Sequence, residues 1–152
     1  MSHDFRLLID GELRAGVSGF DVVNPATGRP FAQCPKADAA MLEQAVDAAA
    51  RAFPGWAATP IEQRAAKIEA LADALVERVD EFAALLTAEQ GKPLDQARKE
   101  VLGSAHVMRA FAAMRLESRV LRENAANRIV EQRKPLGVVA AITPWNFPLM
   151  LL

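Results

Sequence analysis

Few residue types in this chain could do chemistry. Asn146 stands between two aromatic residues in Thr143-Pro144-Trp145-Asn146-Phe147-Pro148. A side-chain amide held there is a neutral donor suited to a developing oxyanion. Cys34 is the single cysteine, and a thiol attacks only as a thiolate favoured by a nearby base or positive charge. It precedes Pro35 in a strand-like surface segment with no histidine nearby in sequence, which reads as a packing residue. Glu89 and Lys92 flank Gln90-Gly91. A carboxylate near a helix end followed by Gly-Lys-Pro reads as helix termination and surface charge. His3 and His106 are far apart in sequence, and neither residue four positions from His106 is a metal ligand.

The elements around Asn146 must hold it in place. Val138 to Ile142 is a continuous apolar run between Gly137 and the Thr143-Pro144 pair, the pattern of a strand buried on both faces, as in a parallel sheet. Thr143 to Pro148 then makes a tight loop, and Pro148 suits the first turn of a helix, where a missing N–H costs nothing. Strand, loop and nascent helix in that order are the start of a dinucleotide-binding α/β unit, which places Asn146 at the carboxyl end of a strand, where such sheets bind ligands.

Three motifs carry a resemblance. Ile142 to Pro148, Glu89-Gln90-Gly91-Lys92-Pro93-Leu94 and Asn24-Pro25-Ala26-Thr27-Gly28 resemble the amino-terminal part of the aldehyde dehydrogenase superfamily, over roughly Leu8 to Leu152. The resemblance implies an NAD- or NADP-dependent oxidation of an aldehyde, a semialdehyde being one substrate class, to a carboxylic acid. It implies that Asn146 stabilises the oxyanion, and that Ile142, Thr143, Pro144 and Trp145 form the loop against which the cofactor lies. Family members are much longer. The nucleophilic cysteine and general-base glutamate are therefore expected beyond Leu152, and the 152-residue chain alone is expected to be inactive. No G-x-G-x-x-G follows the strand, which agrees with the family's variant of the fold.

Composition narrows the classes. With 51% hydrophobic and 24% charged residues and a net charge of −1, the chain suits a globular α/β domain and has no electrostatic footprint for nucleic acid or an anionic membrane. One cysteine permits no intrachain disulfide and suits a reducing compartment. Met1-Ser2-His3-Asp4 lacks a basic leader, so the cytoplasm is expected. The uncharged stretch Leu136 to Leu152 falls just short of the roughly 20 residues of a membrane span and holds two prolines.

Taken in order, Leu7-Leu8-Ile9 and Glu12-Leu13-Arg14 flank Asp10-Gly11 as a type I′ hairpin. A second pair of strands, Phe20 to Val23 and Phe31 to Cys34, flanks the Asn24–Gly28 turn, with Pro35 as the stop. Asp38 caps a helix that Pro54-Gly55 ends, and Thr59-Pro60-Ile61-Glu62 reads as a capping box for the next. Asp80 caps a third helix, closed by Gly91, and a fourth runs from Leu94 to Arg115, with Gly103-Ser104 marking close packing against another helix. Arg119 to Arg122 and Arg128 to Glu131 form a β-ribbon around Glu123 to Asn127. The resulting division is a hairpin and helical part over 1–117, a ribbon over 118–134 and the first strand and loop of a Rossmann-like sheet over 135–152. The family resemblance implies that residues 118–134 join neighbouring subunits into a homo-oligomer, a dimer or tetramer. A second reading is a catalytically silent helical module that pairs with a full-length dehydrogenase subunit through the ribbon.

Overall fold

The first two strands, β1 (Leu7–Ile9) and β2 (Glu12–Arg14), pair antiparallel with Leu8 opposite Leu13. Their turn uses Asp10 at φ 55° and Gly11 at φ 78°, the two positive angles a type I′ turn requires. The computed structural model describes residues 4–152; the expectations that rest on Met1 to His3 lie outside them. Strands β3 (Ser18–Asn24) and β4 (Arg29–Lys36) form the second hairpin, with a register shift at Val22/Val23. Its turn is closed by Asn24, whose Oδ1 accepts from the Ala26 N–H at 2.9 Å and whose carbonyl accepts from Gly28 at 2.8 Å. Pro35 does not stop β4, which runs on to Lys36. In a two-stranded sheet the outer side of each strand has no ladder bond to lose, so a proline is tolerated there.

Helix α1 (Ala39–Ala58) begins where expected, with Asp38 accepting from the Met41 N–H at 2.8 Å. It does not end at Pro54, which lies inside it. Proline's φ suits a helix, and three further residues and Gly55 keep the turn until Thr59 closes it, donating its N–H to the Trp56 carbonyl. The Thr59 hydroxyl is bonded to the Gly55 carbonyl at 2.9 Å, so the expected capping box for α2 (Ile61–Glu77) is not made; Pro60 occupies the cap position without a side-chain bond. Asp80 likewise is not a cap. Arg78 precedes α3 (Val79–Gln90), and Asp80 and Glu81 sit in its first turn, where negative charge complements the helix dipole. Gly91, left-handed at φ 81°, closes α3. Helix α4 (Leu94–Ala112) is three residues shorter than expected.

Helix α4 packs against α2 and α3. Ala97, Val101 and Ala105 recur every four residues and are fully buried; their small side chains let the helix axes approach. Leu75, Ala83 and Leu86 complete this core, with Phe82, Met108 and Leu149 packed on its rim. The β1–β2 hairpin rests on α1 through buried Ile9 and Ala48, and an exposed Arg51–Asp10 pair at 3.0 Å borders that contact.

Strands β5 (Arg119–Glu123) and β6 (Arg128–Glu131) form the ribbon, exposed along nearly its whole length. The strand expected at Val138–Ile142 is not formed, and it is not buried. Residues 138–142 have no ladder partner among the described residues, and Ile142 is 94% exposed. A strand needs a neighbour for its backbone groups, and the described strands form separate two-stranded sheets with none beside this run. The chain then enters one turn in which the Leu151 N–H reaches the Phe147 carbonyl at 3.2 Å, as expected of a helix start after Pro148. No helix among the described residues is long and apolar enough to cross a membrane.

Candidate functional site

The three sequence motifs that lie far apart along the chain meet in space. Gly91 is so close to Pro25 that a Cβ built on it would lie 2.8 Å from the proline Cγ, which joins the Asn24–Gly28 turn to the end of α3. The next residue, Lys92, turns inward and donates from Nζ to the backbone carbonyl of Asn146 at 3.1 Å. Gly91 therefore has two tasks: its positive φ lets the chain reverse after α3, and its missing side chain admits Pro25.

Lys92 is not the surface charge that its sequence context suggests. Its side chain is 13% exposed and forms an ion pair with Glu100 of α4, whose side chain is fully buried. The ammonium also stands 4.5 Å from the centre of the Phe147 ring, on the face where a cation is attracted. The second oxygen of Glu100, Oε1, accepts from the Leu149 N–H at 3.1 Å. One buried pair thus holds backbone atoms on both sides of Phe147-Pro148. Sequence reasoning missed Glu100, although a signal was present: it lies three residues after Ala97 and four before Ser104, on the buried stripe of α4.

Further along that helix, Gly103 faces the same turn, where an added Cβ would lie 2.6 Å from the Met150 Cε. Its close packing partner is the terminal turn rather than another helix. Ser104 satisfies its buried hydroxyl on the Glu100 carbonyl at 2.8 Å.

Asn146 itself is exposed, and its side-chain amide is bonded to no other described residue, so it is free to donate outward. Ile142 and Trp145 are 94% and 81% exposed, Pro144 is exposed and Thr143 half-buried. This run is uncovered and ends in an exposed indole.

Cys34 is not part of this arrangement. It lies on β4, half-buried, with its thiol 3.8 Å from the Pro35 carbonyl, and lines an open apolar cavity of about 320 Å³ with Phe5, Phe31 and Leu85. Glu89 borders the same cavity, away from the Lys92 pair. His106 is exposed on α4. Among the described residues no three potential metal ligands come together.

The sequence model described as the aldehyde dehydrogenase family matches residues 14–152. Glutarate-semialdehyde dehydrogenase of Pseudomonas aeruginosa is 40% identical over 130 residues, covering 84% of this chain and 27% of that protein. The NADP(+) succinate-semialdehyde dehydrogenase GabD of Escherichia coli is 38% identical over 146 residues, covering 93% of this chain and 30% of that protein. The crystal structure of PnpE in complex with nicotinamide adenine dinucleotide superposes with a TM-score of 0.91 at 38% identity, over 97% of this chain and 31% of that one. The chain thus spans under a third of the length of these relatives.

Proposed function

This chain belongs to the aldehyde dehydrogenase family, and from that premise we propose that it forms the amino-terminal portion of an NAD- or NADP-dependent enzyme that oxidises an aldehyde to a carboxylic acid. A semialdehyde is the substrate class favoured, because relatives 38% and 40% identical are named for succinate semialdehyde and glutarate semialdehyde. In this reading residues up to 117 are the hairpin and helical part of the cofactor-binding domain, residues 118–134 join subunits of a cytoplasmic homo-oligomer, and residues 135–152 begin the Rossmann-like sheet.

The observation that carries the reading is Asn146, exposed at a turn whose backbone is tied down on both sides. Attack of a thiolate on an aldehyde carbonyl leaves negative charge on oxygen, and a preorganised amide N–H directed at that oxygen lowers the barrier without reorienting solvent. Neither the thiolate nor the water-activating carboxylate is assigned to a residue of this chain. Ile142, Thr143, Pro144 and Trp145 would hold the nicotinamide cofactor, whose chemistry is to accept hydride.

The test is turnover of the complete enzyme with Asn146→Ala and Asn146→Asp. Loss of one preorganised donor should lower kcat on the order of 10²–10³-fold, and the aspartate, which repels the oxyanion, should be at least as harmful. Cofactor affinity should change little, since the donor acts on charge that develops during reaction. Near-parental turnover of the alanine variant, with chemistry rate-limiting, would sink the assignment.

A further inference from the structure

We infer that Lys92 and Glu100 are positioning residues for Asn146, and that their buried ion pair sets where the backbone carrying the oxyanion donor sits; the inference rests on the function proposed above. An ammonium has three N–H groups, and Lys92 Nζ has three partners: the Glu100 carboxylate, the Asn146 carbonyl at 3.1 Å and the face of Phe147. Glu100 uses both oxygens, one on Lys92 and one on the Leu149 N–H. Both ends of the pair are therefore partnered, and two of its three hydrogen bonds go to the backbone of one short loop.

Stability alone does not explain such a pair. Replacing a buried ion pair by apolar residues of the same volume is often neutral or stabilising. Apolar side chains lack direction, however, and could not fix a particular carbonyl and a particular N–H. The Asn146 amide has no described partner of its own, so the residue is anchored through its backbone alone, and its backbone carbonyl is what Lys92 holds. A displacement of about 1 Å at a catalytic group can lower a rate 10²-fold.

The decisive variant of the complete enzyme is Lys92→Met combined with Glu100→Gln. Glutamine retains an acceptor for the Leu149 N–H, methionine fills the space of the lysine, and neither leaves a buried charge. What is removed is the ion pair itself, and with it the bond to the Asn146 carbonyl and the cation on the Phe147 ring. Amide hydrogen exchange should rise several-fold in the peptide covering 145–152 and stay unchanged in α2. Turnover should fall on the order of 10–100-fold with the cofactor KM unchanged. Adding Asn146→Ala to this variant should lower kcat no further than Asn146→Ala does alone, because a misplaced donor that is then deleted has nothing left to lose.

Unchanged exchange over 145–152, or losses that multiply in full when the changes are combined, would overturn the inference. If the double variant does not fold, Lys92→Arg replaces it: a larger planar fork does not reproduce the geometry of a compact ammonium at a nearly buried site, and the same readouts and outcomes apply. A wild-type enzyme that oxidises no aldehyde defeats the proposed function and the catalytic part of this inference. The exchange measurement then still decides whether the pair holds the loop.

Discussion

Gly91 sits at φ 81° with Pro25 pressed against the place of its absent side chain. A left-handed conformation costs a residue with a Cβ about 1–2 kcal/mol, and the contact with Pro25 adds to it. Gly91→Ala should therefore lower stability by roughly 1–3 kcal/mol and shift Lys92, which a thermal melt and exchange over 145–152 would reveal; a melt within a degree of the parent would contradict the packing. Glycine's role at such positions is legible in a sequence because φ preference belongs to the residue type, as with Asp10-Gly11. Burial of Lys92 is not, and the helical stripe that turns Glu100 inward does not show what it meets. It depends on a partner eight residues away and on a loop about fifty residues further along, and no local pattern marks a lysine as facing inward. The exposed turn at Asn146 agrees with the tight loop expected from Thr143 to Pro148, whereas the atoms that hold that loop leave no sign in the local sequence.

The helices were legible from spacing, and their ends were less so. Asp38 was readable because a side chain that caps its own helix is a local matter. Asp38→Ala should cost about 1 kcal/mol, seen as a lower melting temperature with unchanged core packing. Thr59 was misread because its hydroxyl could serve the helix before it or the one after, and the choice fell to Gly55. Helix α4 makes the same point with Gly103. Alanine there should favour the helix by up to about 1 kcal/mol, but its Cβ would displace Met150, a flexible side-chain end that can yield. Gly103→Ala should thus preserve or raise the melting temperature while loosening residues 147–151, measured by exchange. A clear drop in stability would mean that Met150 cannot move aside.

At the scale of the whole molecule, surface area decides. A folded monomer of 16.5 kDa exposes about 7,600 Å² by the usual scaling, whereas this chain exposes 11162 Å². Much of the excess is apolar: Leu136, Ile142 and Trp145 are each more than 80% exposed, and Val120, Leu121, Ile129 and Val130 leave the ribbon uncovered. The run 138–142 was read as a strand from its composition, and composition shows a residue's preference but cannot supply the neighbouring strand that satisfies it. Patches of this size mark surfaces made to be covered, and unpaired strand edges invite association. The 152 residues expressed alone should therefore self-associate or stay loosely packed, and should oxidise no aldehyde with either nicotinamide cofactor, because Cys34, the sole thiol, lines a cavity to which Asn146 does not contribute. Sedimentation with near-ultraviolet circular dichroism is the measurement. A monomer with sharp aromatic signals and a cooperative melt would show that the exposed faces need no cover. Co-purification of the short chain with an intact dehydrogenase would instead favour the silent module that pairs through its ribbon, against which stands the apolar run 136–145, left exposed when only residues 118–134 are covered.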